Sequence, residues 1–185
     1  MNKKFLRSII LGLVLVTIFT RLSLAGNVND IYGGPEKVIS EKIPMNIDHQ
    51  RHLYNLCVDR NIDYIKALAL VQTESSFQPS VVSRGNYGYM QLNRINHKRL
   101  SQTLGTANGP LDPYINLNWG SFMLAELYRK FEAKGLRGDK LDRAVWSSYN
   151  KGEAGYRRTG EASHYINKNY RHINYVRETL GLNKK

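Results

Sequence analysis

Tyr64, Ile65, Ala67, Leu68, Leu70 and Val71 crowd into little more than two turns of any helix this chain could form. Together they cover most of the helix circumference, and an element apolar on nearly every side cannot lie on a surface. It must run through the middle of a core with other elements packed around it. Asn61 or Asp63 stands where a cap belongs, so the spacing predicts a helix from there to Ser75 or Ser76. The run ends on a carboxylate, Glu74, and then breaks at Phe77-Gln78-Pro79, because the residue before a proline is pushed out of the α region. A loop with Ser83, Gly85 and Gly88 follows, and then Tyr89-Met90-Gln91-Leu92. Glu74 therefore sits where a buried helix meets irregular chain. A carboxyl in such a place is partly desolvated, which raises its pKa. An acid still protonated near neutral pH can hand its proton to a leaving oxygen.

The rest of the chain supplies the surrounding helices. One is expected from Asn46 or Asp48 to about Arg60, with Ile47, Leu53, Leu56 and Cys57 facing inward. A short amphipathic helix covers Ile95 to Leu104. Asp112-Pro113 opens a longer one reaching about Ala133, since proline suits the first turn. Asp139 or Asp142 starts the next, pointing Ala144, Val145 and Tyr149 at the core, and Gly152 to Gly160 reads as a loop. Ala162 to Leu180 closes the domain as one or two helices. There is no strand of period two and no internal repeat, so the fold expected is mainly α, one domain over residues 46–185. Residues 26–45, with Gly33-Gly34-Pro35 and Pro44, read as an extended, poorly ordered lead-in.

Residues 1–25 have the pattern of a secretory leader. Lys3, Lys4 and Arg7 precede an apolar stretch from Ile9 to Phe19, and Ser23-Leu24-Ala25 supplies small residues for cleavage after Ala25. The apolar core falls short of the roughly 20 residues that cross a bilayer. Export to the periplasm or beyond is expected. Without Lys3, Lys4, Arg7 and Arg21 the formal charge falls from +12 to +8, which suits a polyanionic partner. For an exported protein, cell-wall polymer or anionic lipid fits that description better than nucleic acid, which is not expected. Cys57 is the only cysteine and falls at helical spacing with Leu53 and Leu56, as a buried small hydrophobe would. His49, His52, His97, His164 and His172 form no ligand spacing with neighbouring acids, so neither a metal site nor a cofactor is expected.

The pattern Glu74-Ser75-Ser76-Phe77-Gln78-Pro79, Val82-Ser83-Arg84-Gly85 and Gly88-Tyr89-Met90-Gln91-Leu92 resembles the soluble lytic transglycosylase family. A second block, Ser148-Tyr149-Asn150-Lys151-Gly152, is similar to that family's Ala-Tyr-Asn-x-Gly element. The resemblance runs from about Asp63 to about Val176. Tyr89, where a small aliphatic is usual, and Ser148, in place of alanine, depart from it without removing a catalytic group. It implies the lysozyme-like fold shared with goose-type lysozymes.

It also implies a chemistry. Glycoside cleavage usually takes two carboxylates, but no second motif-borne one is present: Asp112, Asp139, Asp142 and Glu153 read as helix caps or loop residues. The resemblance implies Glu74 as sole catalytic residue, protonating the oxygen between N-acetylmuramic acid and N-acetylglucosamine and then drawing the proton from the sugar's 6-hydroxyl to close a 1,6-anhydro ring. Ser83, Met90, Gln91 and Asn150 match groove-lining positions, and Tyr149 is expected to hold Glu74 through its hydroxyl. Tyr165 resembles the family's later groove tyrosine. Ser75 is expected to tie the helix end. The partners implied are peptidoglycan glycan strands and, by likeness to small specialised relatives, a secretion or conjugation machine; the chain is expected to act as a monomer. Two other readings stay open. A goose-type hydrolase would need a loop acid such as Asp112 at the cleft, and a glycan-binding or assembly protein would need no turnover.

Overall fold

The computed structural model describes residues 26–182, so the expected leader lies outside the described residues. Six α-helices account for most of them: α1 Ile47–Arg60, α2 Tyr64–Ser75, α3 His97–Leu104, α4 Pro113–Ala133, α5 Gly138–Thr159 and α6 Ser163–Thr179. The capping residues act as their chemistry dictates. The Asn46 side chain accepts from the Asp48 and His49 amides, Asp63 from Lys66, and Asp112 from Ile115, each satisfying donors that a helix start leaves without partners.

α2 is the axis of the fold. Tyr64, Ile65 and every residue from Ala67 to Val71 are buried, with α6 and α1 packed along it. α4 lies against α1 and α5, and α5 against α6. Trp119 and Trp146 are fully buried, Trp119 against His97 of α3 and Trp146 against Tyr170 of α6. Cys57 is fully buried, and burial pushes its thiol well above the ordinary value. Among the described residues no helix is long and apolar enough to cross a membrane.

Three features differ from the sequence reading. The segment 26–45 is packed against the domain: Tyr32, Val38, Ile43 and Met45 are buried. The Tyr32 hydroxyl donates to both Asp63 oxygens at 2.9 Å, and Asn29 accepts from the Tyr64 amide at 2.8 Å. Gln50 of α1 ties the later part of the segment, its Nε2 donating to the Ser40 and Met45 carbonyls at 3.1 and 2.7 Å, and buried residues set in such irregular chain show no period.

Residues 153–159, expected as a loop, are helical. α5 runs on to Thr159 across a break at Gly152 (φ 70°, ψ 157°), a conformation that glycine adopts without penalty. Asp142 does not cap that helix. It is buried and accepts from Lys66 Nζ at 2.7–2.8 Å and from the Tyr128 hydroxyl at 2.8 Å, which ties α2, α4 and α5 together.

Between α2 and α3 the chain forms a small antiparallel sheet: β1 Val82–Ser83, β2 Asn86–Tyr87 and β3 Leu92–Asn93. Val82 faces Tyr87 and Ser83 faces Asn86, and β2 pairs Asn86 with Asn93 and Tyr87 with Leu92. Arg84 and Gly85 turn the first hairpin with φ of 51° and 79°, as a two-residue hairpin loop requires. Strands of two residues are too short to show an alternation.

Candidate active site

The chain turns sharply just after Glu74. Ser76 (φ 52°, ψ 41°) and Phe77 (φ 63°) are consecutive non-glycine residues in the left-handed region, at a cost on the order of 1–3 kcal/mol each. Burial of Phe77 and the Ser75 hydroxyl, which donates to the Val71 carbonyl at 3.0 Å, hold the corner in place. This corner leaves the Glu74 side chain at the wall of an open cleft of about 980 Å³ that Gln91, Asn93, Tyr149, Asn150 and Glu153 also line.

Burial dominates the electrostatics of Glu74. Its carboxyl is pushed up to about 7 by desolvation, against the opposing pull of a hydrogen bond from Tyr165 and the charge of Lys168. Burial beside Glu74 also raises the Tyr149 and Tyr165 hydroxyls well above their ordinary value, so both remain protonated donors.

The two tyrosines exchange the parts expected of them. Tyr165, on α6, donates to Glu74 Oε1. Tyr149, on α5, donates instead to the Met90 carbonyl at 2.9 Å. Sequence order favoured Tyr149 because it sits in the more distinctive block, but α6 is the helix that lies along α2. Met90 is likewise not a groove side chain. It is fully buried, packed so closely on Gly120 that an added Cβ there would lie 2.7 Å from Met90 Cβ and nearer still to its sulfur. Its amide donates to Asn116 Oδ1 at 2.9 Å. Met90 thus presents its carbonyl to Tyr149 and its side chain to the core.

Gln91 lines the cleft as expected, while its Nε2 donates to the Val81 and Gly88 carbonyls at 3.0 and 2.9 Å and braces the loop. Asn150 is exposed on the cleft wall. Ser83 is exposed on β1 and is not among the residues that line this cleft. Sequence reasoning missed Lys168, Asn86 and Asn93. The last two face each other across the sheet, with Asn93 Nδ2 donating to Asn86 Oδ1 at 3.0 Å, and both line the cleft. Asp112, the acid a hydrolase would have needed, is exposed and occupied as the α4 cap.

A mainly helical domain of this architecture, with a carboxyl protonatable near neutrality at an amide-lined cleft, is lysozyme-like. A family profile described as "Transglycosylase SLT domain" matches residues 58–173, more than half of the chain, and the protein belongs to that family. Among solved structures, an inactive mutant of the lytic transglycosylase Slt from Pseudomonas aeruginosa is similar over 77% of this chain, with a TM-score of 0.62 and 16% identity. The 70 kDa soluble lytic transglycosylase from Escherichia coli matches over 70% of this chain at 19% identity and a TM-score of 0.48. The chain covers 26% and 22% of those two proteins, and at such identity the first likeness shows the fold alone. No curated protein matches the chain.

Proposed function

We propose that this protein is a peptidoglycan lytic transglycosylase with Glu74 as its only acid–base residue. One observation carries the reading. Glu74 is the cleft carboxyl held near neutrality by burial, whereas the other two acids on the cleft wall are paired, Glu126 with Arg99 at 3.4 Å and Glu153 with Lys130. An acid with a pKa of about 7 is suited to give a proton and then retrieve one.

In the cycle that follows, protonated Glu74 delivers its proton to the oxygen between N-acetylmuramic acid and N-acetylglucosamine, and the bond to the anomeric carbon breaks. The substrate's own N-acetyl oxygen stabilises that carbon, as in other substrate-assisted glycosidases. Glu74, now a carboxylate, takes the proton from the 6-hydroxyl, whose oxygen closes on the anomeric carbon. Glu74 ends protonated, and no water is consumed. Tyr165 keeps the carboxyl aimed at the cleft, while Gln91 and Asn150 offer amide groups to the glycan.

Peptidoglycan lies outside the cytoplasm, so the reading places the protein in the periplasm or beyond it, with residues 1–25 as the export signal. Opening the wall for a secretion or conjugation machine is the cellular role that the small specialised relatives suggest. Mass spectrometry of fragments released from purified sacculi tests the reaction. Products ending in a 1,6-anhydro sugar are expected. Products heavier by one water would assign hydrolysis, and the absence of soluble fragments would assign binding without turnover.

A further inference from the structure

The helix that carries Glu74 is fastened at its end by a residue from another element. The Ser76 amide reaches the Gln72 carbonyl, after which the chain leaves the helix. The next carbonyl, that of Thr73, accepts from Lys168 Nζ at 2.7 Å. Lys168 lies on α6 three residues beyond Tyr165, which places both on one face. That face is attached to α2 at further points: the Thr73 hydroxyl donates to Asn169 Oδ1 at 3.2 Å and meets His172 Nδ1 at 2.9 Å, and within α6 Asn169 Nδ2 donates to the Tyr165 carbonyl at 3.0 Å.

From this geometry we infer that Lys168 is a positioning residue for Glu74, clamping the end of α2 to α6 and setting an ammonium charge beside the carboxyl; its catalytic importance rests on the reading of Glu74 given above. The physical need is specific. Glu74 stands at the C-terminal end of α2, where the partial negative charge of the helix disfavours a carboxylate, and burial disfavours it further. A cation on the helix's own terminal carbonyl opposes both effects, and the charge of Lys168 acts on the Glu74 carboxyl in that direction. The other titratable groups acting on Glu74 are Tyr149 from α5 and Tyr165 from α6, both neutral. Lys151, Arg129, Arg99 and Lys130 stand across the open cleft with Glu126 and Glu153. Among the described residues Lys168 is therefore the cation fixed at the Glu74 end, and it keeps the acid poised near neutrality so that it can become a base within the same cycle.

The test reads the Glu74 carboxyl directly, by ¹³C NMR titration of the free protein, with the resonance assigned by its loss in Glu74→Gln. The wild-type midpoint is expected near 7. Lys168→Met should raise it by about one unit, and Lys168→Arg should leave it near the wild-type value. Lys168→Cys supplies the same comparison within one folded protein. Alkylation of that thiol with 2-bromoethylamine rebuilds an ammonium and should bring the midpoint back down, while Cys57 is fully buried and shielded from the reagent. A midpoint that does not move in Lys168→Met, or that is the same before and after alkylation, overturns the proposal and leaves Lys168 as a structural cap. Because the titration requires no turnover, a wild-type protein that fails to cleave sacculi would refute the transglycosylase reading without touching this result.

Discussion

The hydroxyl of Tyr165 donates a hydrogen bond to Glu74 Oε1, although 91 positions separate the two residues in the chain. The contact exists because α6 packs along α2. It gives a half-buried acid a neutral donor that steadies its carboxylate form without adding a charge.

Glu74→Gln should remove cleavage of sacculi by roughly 10²–10⁴-fold, since an amide keeps the shape but has no proton to deliver. The same variant should be more stable than wild type at pH 8 and close to it at pH 4. The folded-state pKa of about 7 lies above the ordinary value of 4.5, so the folded protein holds this proton more tightly than the unfolded chain. The stability that goes with it is present below about 4.5 and is lost as pH rises through 7, by up to about 3 kcal/mol. Thermal melts at the two pH values measure the difference.

Cleavage by the wild-type protein should decline as pH rises through about 7, because the form that starts the reaction is the protonated acid. A kcat/KM profile on soluble glycan fragments would show this alkaline limb. Tyr165→Phe should move the limb upward, since the carboxylate loses a donor that favours it. It should also slow cleavage by about 10–100-fold, the equivalent of a lost bond to an ionisable group worth roughly 1.5–3 kcal/mol.

Tyr149→Phe should behave differently. Its hydroxyl serves the Met90 carbonyl, so the substitution leaves a buried acceptor without its donor, at a cost of about 1–3 kcal/mol. Urea unfolding should register that loss, while the alkaline limb stays close to the wild-type position. A limb that moves as far as in Tyr165→Phe would return Tyr149 to direct contact with Glu74.

Gly120→Ala should destabilise the domain by about 1–3 kcal/mol or more, because its methyl group would overlap the Met90 side chain. Met90 is held from both sides, its amide by Asn116 and its carbonyl by Tyr149, so it cannot move alone. Cleavage should fall together with the melting temperature, tying activity to a glycine on the far side of the loop.

Much of this protein is legible in its sequence. The run from Tyr64 to Val71 required a central helix, Pro79 required it to end near Glu74, and Asn46, Asp63 and Asp112 marked helix starts, because these signals act within a few residues of where they are written. The family blocks contain Glu74, Gln91, Tyr149 and Asn150, which the structure brings to one cleft. What the sequence could not show was which distant group would reach Glu74. Tyr149 and Tyr165 are both tyrosines on helices beside the core, and the choice between them depends on the packing of α5 and α6 against α2. Lys168 lies outside the family blocks and has the look of any surface lysine until α6 brings it onto the Thr73 carbonyl. The buried apolar residues of 26–45, Tyr32, Val38, Ile43 and Met45, stand in irregular chain, so no local period betrays their burial. Local chemistry thus fixed the place of Glu74 and the ends of its helix, whereas the donor from Tyr165, the hold of Lys168 and the pKa near neutrality depend on burial and distance between segments remote in sequence, which only the tertiary structure decided.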